Sequence, residues 1–141
     1  MSKVLVDSSV WISFFKGDEK AKVILPLIDS NQICINYLIL SELIPSLIHR
    51  KENDLVKLLN SIERLKIEID WTEIIDIQIY NLKNGINKVG IPDLIIAQNA
   101  VQNKVHLLSF DKHFELMKKH IGLKNASLRI RQNCKICRIT N

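Results

Sequence analysis

The chain has 141 residues, of which 47% are apolar and 25% charged, and a net charge of +5. That is the length of one ordinary domain, with enough chain to bury a core, and its balance excludes disorder, collagen and coiled coil. Three cysteines are too few, and odd in number, for a disulfide scaffold, so a reducing, cytoplasmic compartment is expected.

Val4-Leu5-Val6 is a short apolar run closed by Asp7, Ser8 and Ser9. It reads as a buried strand feeding a helix over 9–16, because Asp and Ser are good N-caps. A second helix is expected from Asp18 to Ser30, and Ile33-Cys34-Ile35 as a second buried strand. Over 37–50, Leu40, Leu43, Ile44 and Leu47 form one helical stripe. Asn53 to Arg64 continues as helix, and Lys66-Ile67-Glu68-Ile69 alternates like a strand. Helices follow over 72–84 and from Asp93 to Gln102, separated by a loop from Gly85 to Pro92. The strand Val105 to Ser109 leads to a last helix capped by Asp111 and ending near His120, with Leu128 to Ile130 as a further edge strand. Strands alternating with helices imply an α/β fold with a mostly parallel sheet covered by helices.

Nothing at the start resembles a signal peptide, since Asp7 interrupts any apolar core. The longest greasy stretch, Ile33 to Ile48, is broken by Asn36, Glu42 and Pro45 and is too short to span a bilayer. No membrane association is expected. Charge is unevenly spread: residues 112–141 carry +7 and the rest carry −2. A basic tail on a slightly acidic body fits a polyanionic partner, and it equally fits a solvated tail.

In parallel sheets, ligands bind at the carboxyl ends of the strands. The acids near such ends are Asp7, Asp70 and Asp111, while Asp93 opens the helix before the last strand and Glu42 lies within an apolar helix, opposite its stripe. Each Asp also fits a helix cap. Asp93 is the least ordinary, because it heads a face made of Ile96, Ala97 and Ala100. Buried carboxylates must be paired, hydrogen-bonded or metal-bound, and acids converging on one crevice need a cation. Hard oxygen ligands of this kind select Mg²⁺ or Mn²⁺.

Four segments carry a resemblance to a known family. They are Val4 to Ile12, Leu40-Ser41-Glu42-Leu43, Gly90-Ile91-Pro92-Asp93-Leu94-Ile95-Ile96-Ala97, and Leu107-Leu108-Ser109-Phe110-Asp111-Lys112-His113-Phe114. In this order they resemble a PIN domain, and in particular the VapC-type toxins of bacterial toxin–antitoxin pairs. The resemblance covers roughly 3–120. It implies a PIN-like three-layer fold, with a nuclease domain over 1–120 and a basic C-terminal segment over 121–141.

It further implies an endoribonuclease that hydrolyses RNA phosphodiester bonds. Asp7, Glu42, Asp93 and Asp111 would be its catalytic acids, Asp7 and Asp93 holding one or two Mg²⁺ or Mn²⁺ ions and Glu42 and Asp111 completing the shell. Asp70 has no counterpart in that set and is left as a cap. Ser9 would orient a carboxylate or a metal-bound water and Ser109 would do the same near Asp111, or else both serve as cap and turn residues. The implied partners are RNA, such as tRNA or another structured RNA, a cognate antitoxin, and a second copy of the chain in a homodimer. Lys88, Lys112, Arg129 and Arg131 are the proposed phosphate contacts, with Lys83, Lys135 and Arg138 nearby in sequence.

A nucleic-acid binding module on the same fold, without turnover, is the alternative. A receiver domain or haloacid-type phosphatase would want further acids where Ser8 and Ser9 stand, and glycine-rich nucleotide motifs are absent. Cys134 and Cys137 are half of a zinc site, but no second pair follows and the histidines are scattered without ligand spacing, so no structural zinc is expected. Trp11 and Trp71 are expected in the core.

Overall fold

A computed structural model of the chain describes residues 3–121. Arg129, Arg131, Lys135, Arg138, both tail cysteines and the strand expected over 128–130 lie outside the described residues.

Four strands form one sheet: β1 (Val4–Val6), β2 (Ile33–Ile35), β3 (Glu63–Arg64) and β4 (His106–Leu108). Their order is β3-β2-β1-β4, and every pairing is parallel. Leu5 faces Cys34 on one side and Leu107 on the other. β1 and β2 are buried at every position. A parallel sheet covered on both faces needs such unbroken apolar runs, which is why three residues suffice to mark each strand.

Seven helices flank the sheet among the described residues: α1 (Ser8–Phe15), α2 (Leu25–Asp29), α3 (Tyr37–His49), α4 (Asn53–Ser61), α5 (Trp71–Lys83), α6 (Ile91–Gln102) and α7 (Lys112–Ile121). A 3-10 helix over Glu19–Ile24 precedes α2, so the single helix expected over 18–30 is two pieces. No helix among the described residues is long and apolar enough to cross a membrane.

Helix α6 is the central one. Leu94, Ile96, Ala97, Gln98, Asn99 and Ala100 are all buried, and α6 touches α3, α5 and α7. Its two buried amides are hydrogen-bonded, as buried polar groups must be. Gln98 accepts from the Asp70 amide at 3.1 Å and donates to the Asp70 carbonyl at 3.1 Å and to Glu73 at 2.8 Å. Asn99 donates to the Lys66 carbonyl at 2.9 Å and accepts from Asn36 at 3.0 Å. Asn36 in turn caps α3 by accepting from the Ile39 amide at 2.9 Å.

These amides explain one correction. The alternating segment 66–69 is not a strand, because side chains of α6 take up the backbone groups of Lys66 and Asp70. The third strand is instead the exposed pair Glu63–Arg64 at the sheet edge, and helix α4 stops at Ser61 rather than running to Arg64. Charge at an exposed edge discourages pairing with other chains, and Lys3 reaches Glu63 at 2.8 Å.

A second correction concerns the tryptophans. Trp11 is fully buried, stacked on Phe15 at 5.9 Å between ring centres. Trp71 is 57% exposed. It opens α5, where Asp70 forms the N-cap by accepting from the Glu73 amide at 3.1 Å. With Ile75, Ile79 and Leu82, all exposed, Trp71 makes an apolar stripe along α5 that the described residues leave uncovered.

Candidate active site

The chain leaves β1 toward β2 on one side, and β4 joins β1 on the other side. The carboxyl ends of β1 and β4 therefore flank a topological switch point, where open α/β sheets form their ligand crevice. Asp7 directly follows β1, and Ser109 directly follows β4. The Asp7 amide donates to the Leu108 carbonyl at 2.9 Å, which closes the two strand ends together.

Asp7 is buried. Its Oδ2 accepts from the Ser9 hydroxyl at 2.8 Å, the Ser109 hydroxyl at 2.9 Å and the Ser9 amide at 3.4 Å. Each hydroxyl also accepts from the backbone beyond β4. The Phe110 amide donates to Ser9 Oγ at 3.1 Å, and the Asp111 amide donates to Ser109 Oγ at 3.0 Å. Ser9 and Ser109 thus fix the Asp7 carboxylate and the turn that carries Asp111. Both are also the cap and turn residues that sequence offered as the other reading.

Asp93 stands in the first turn of α6, whose N-cap is Gly90 and whose opening turn contains Pro92. It is therefore not itself the cap. Burial pushes its carboxyl above the usual range, and the charges of Asp111 and Asp7 push the same way, while His113 opposes them. Glu42, on α3, accepts from the Ser8 hydroxyl at 3.2 Å. Although the residue as a whole reaches solvent, burial of its carboxyl raises its pKa, as do Asp7 and Asp93, against the opposing Ser8 bond. Asp7 acts on both carboxyls, Asp93 acts on Glu42 and Asp111 acts on Asp93, so the four acids occupy one electrostatic neighbourhood.

The tightest grouping is Asp93, Asp111 and His113, whose ligand atoms lie within 4.8 Å of one another. Asp7 and Glu42 stand outside that grouping of three. His113 was passed over by sequence reasoning. The available signal was its place two residues after Asp111, at the start of α7, where Asp111 accepts from the His113 amide at 2.9 Å. Its Nδ1 is 2.9 Å from Asp111 Oδ1, yet the contact is not aligned as a hydrogen bond and the buried Nδ1 has no hydrogen-bond partner.

Two carboxylates, the clustered negative charge around them and one imidazole whose buried Nδ1 lacks a hydrogen-bond partner together fit a divalent cation. Of the basic residues, Lys112 begins α7 beside Asp111, and Lys88 lies exposed in the loop before α6 with φ +64°. Lys20 was not anticipated. It stands 4.8 Å over the ring of Phe110, between Ser109 and Asp111 in sequence.

With this geometry in place, comparison with known families is decisive. The PIN domain family matches residues 4–119. The chain belongs to the PIN domain family. Comparison with curated proteins gives no match. PIN domains are in general nucleases, hydrolases that act on nucleic acid and typically use divalent metals. The mixed α/β fold with a four-stranded parallel sheet flanked by helices is that expected for the family.

Proposed function

We propose that this PIN domain is a Mg²⁺- or Mn²⁺-dependent endoribonuclease, the toxin of a toxin–antitoxin pair. The observation that carries the reading is the convergence of Asp7, Glu42, Asp93 and Asp111 on the switch-point crevice, with Asp93 and Asp111 beside His113 within 4.8 Å. When bound, a divalent cation would make water more acidic and offset charge developing on the phosphate.

The chain's own groups divide the remaining work. Asp93 and Asp111 would hold the cation, with Asp7 aimed by Ser9 and Ser109 so that its carboxylate does not wander. Glu42 binds a proton more readily than an ordinary glutamate, which suits it to take or return a proton at the crevice rim. Lys112, Lys88 and Lys20 would contact the RNA backbone, and each such contact steepens the salt dependence of binding. No covalent enzyme intermediate is required. Arg129 and Arg131 remain proposed contacts in the basic segment over 121–141, which we assign to the nuclease domain over 1–120.

The toxin role, the homodimer and the cognate antitoxin rest on the VapC-like resemblance. The uncovered stripe of Trp71, Ile75, Ile79 and Leu82 supports a protein partner, because an apolar face of this kind is stabilised when covered. The proposed setting is the cytoplasm.

The test is incubation of total cellular RNA with the purified chain in Mg²⁺, in Mn²⁺ and in EDTA, beside Asp93→Asn. The expected result is discrete fragments that need the cation and vanish in the variant. RNA binding without cleavage in any cation would replace this reading with a binding module.

A further inference from the structure

We propose that His113 is a metal ligand, completing with Asp93 and Asp111 a mixed nitrogen–oxygen site that prefers Mn²⁺ to Mg²⁺. The inference rests on the metal-dependent reading above and goes beyond the four acids.

Three observations carry it. First, one imidazole nitrogen of His113 and one oxygen from each carboxylate lie within 4.8 Å of one another, a grouping that could gather around one ion. Second, His113 Nδ1 and Asp111 Oδ1 are 2.9 Å apart. Two ligands about 2.1 Å from an octahedral ion and at right angles stand about 3.0 Å apart. Third, Nδ1 is buried and has no hydrogen-bond partner, although an acceptor oxygen is at hydrogen-bonding distance. A buried ring nitrogen without a partner is costly, and an ion shared with Asp111 would supply that partner. The opening turn of α7 fixes the arrangement, because Asp111 Oδ1 accepts the His113 amide at 2.9 Å and so holds residue 113 beside its own carboxylate.

The chemical consequence is selectivity. Mg²⁺ favours oxygen ligands and keeps its water, whereas Mn²⁺, a first-row transition ion, accepts an imidazole nitrogen more readily. An all-oxygen site would discriminate little between the two ions. This site should discriminate through one nitrogen.

The full-length chain is titrated with Mn²⁺, free ion being read by its electron paramagnetic resonance signal, and Mg²⁺ is measured by competition. Wild type, His113→Gln, His113→Asp and Asp93→Asn are compared, each after a thermal melt in EDTA establishes that it is folded. The wild type should bind Mn²⁺ at least about tenfold more tightly than Mg²⁺. His113→Gln should lose about tenfold or more in Mn²⁺ affinity, with Mg²⁺ changing far less. His113→Asp, which supplies oxygen in place of nitrogen, should move the preference toward Mg²⁺.

An unchanged Mn²⁺/Mg²⁺ ratio in both His113 variants would overturn the proposal while leaving the metal site standing, since Asp93→Asn would still lose both ions. A wild type that takes up neither ion would overturn the metal-dependent reading itself, and this inference with it.

Discussion

Ser9 and Ser109, one hundred residues apart in the chain, bring their hydroxyl oxygens within 3.3 Å and both donate to the same oxygen of Asp7. Two donors on one oxygen weaken each other, because each reduces the charge that the other meets. Ser9→Ala or Ser109→Ala alone should therefore destabilise by about 1–2 kcal/mol. The double variant should exceed the sum of the singles by about 0.5 kcal/mol or more. Urea unfolding of the four proteins measures this, and strict additivity would mean that the hydroxyls act independently.

The raised carboxyls give a pH prediction. Glu42 and Asp93 hold protons more tightly when folded than at their ordinary values of 4.5 and 3.8. The folded state therefore binds more protons than the unfolded state from that range upward, and stability falls as pH rises through it. In EDTA, Asp93→Asn and Glu42→Gln should remove that penalty and raise Tm at pH 7 by about 1–3 °C, a small gain because both groups are partly solvated. Differential scanning calorimetry at pH 5 and pH 7 decides it. Variants that melt lower at pH 7 would show that these carboxylates stabilise the fold instead.

Asn36 joins two elements that carry acids, capping α3 and bonding Asn99 on α6. Asn36→Ala should cost about 2–4 kcal/mol, combining a lost cap with a buried amide left short of a partner. The measurement is a chemical denaturation midpoint, with circular dichroism confirming that the variant still folds. A loss below about 1 kcal/mol would mean that α3 is anchored by its apolar stripe alone.

Cys34 is fully buried in β2, and burial, with Glu63 nearby, pushes its thiol up to about 12. In a chain with Cys134 and Cys137 replaced by serine, iodoacetamide at pH 8 should leave Cys34 unmodified in the native protein and alkylate it in urea. Mass spectrometry of the peptide containing Cys34 gives the result, and rapid native labelling would mean that β2 opens readily.

The legible parts of the sequence were those where burial leaves a pattern. Val4–Val6 and Ile33–Ile35 are buried on both faces and read as unbroken apolar runs. The stripe of Leu40, Leu43 and Leu47 is buried as its spacing requires, leaving Glu42 on the other side of α3. Strand β3 carries no such pattern, because its two residues are charged and exposed. Its false substitute, 66–69, alternates correctly but is bound by Gln98 and Asn99, a long-range contact that no local window contains. Trp71 misled because aromatic bulk usually signals a core, whereas here it begins an uncovered face. Within the crevice, strand-end acids were visible from their neighbours. His113 was not, because its meaning depends on Asp93, twenty positions earlier, lying across from α7.

The pairing of β1 with β4 has a consequence for biosynthesis. The first strand made waits beside an open edge until nearly all the described chain has been synthesised, since its partner spans His106–Leu108. Until then Asp7 lacks Ser109 and Asp111, and the crevice is only half walled. A ribosome-bound or prematurely terminated chain ending before β4 therefore leaves Asp7 without two of its neighbours, and the crevice is finished only once β4 and the turn after it have been made.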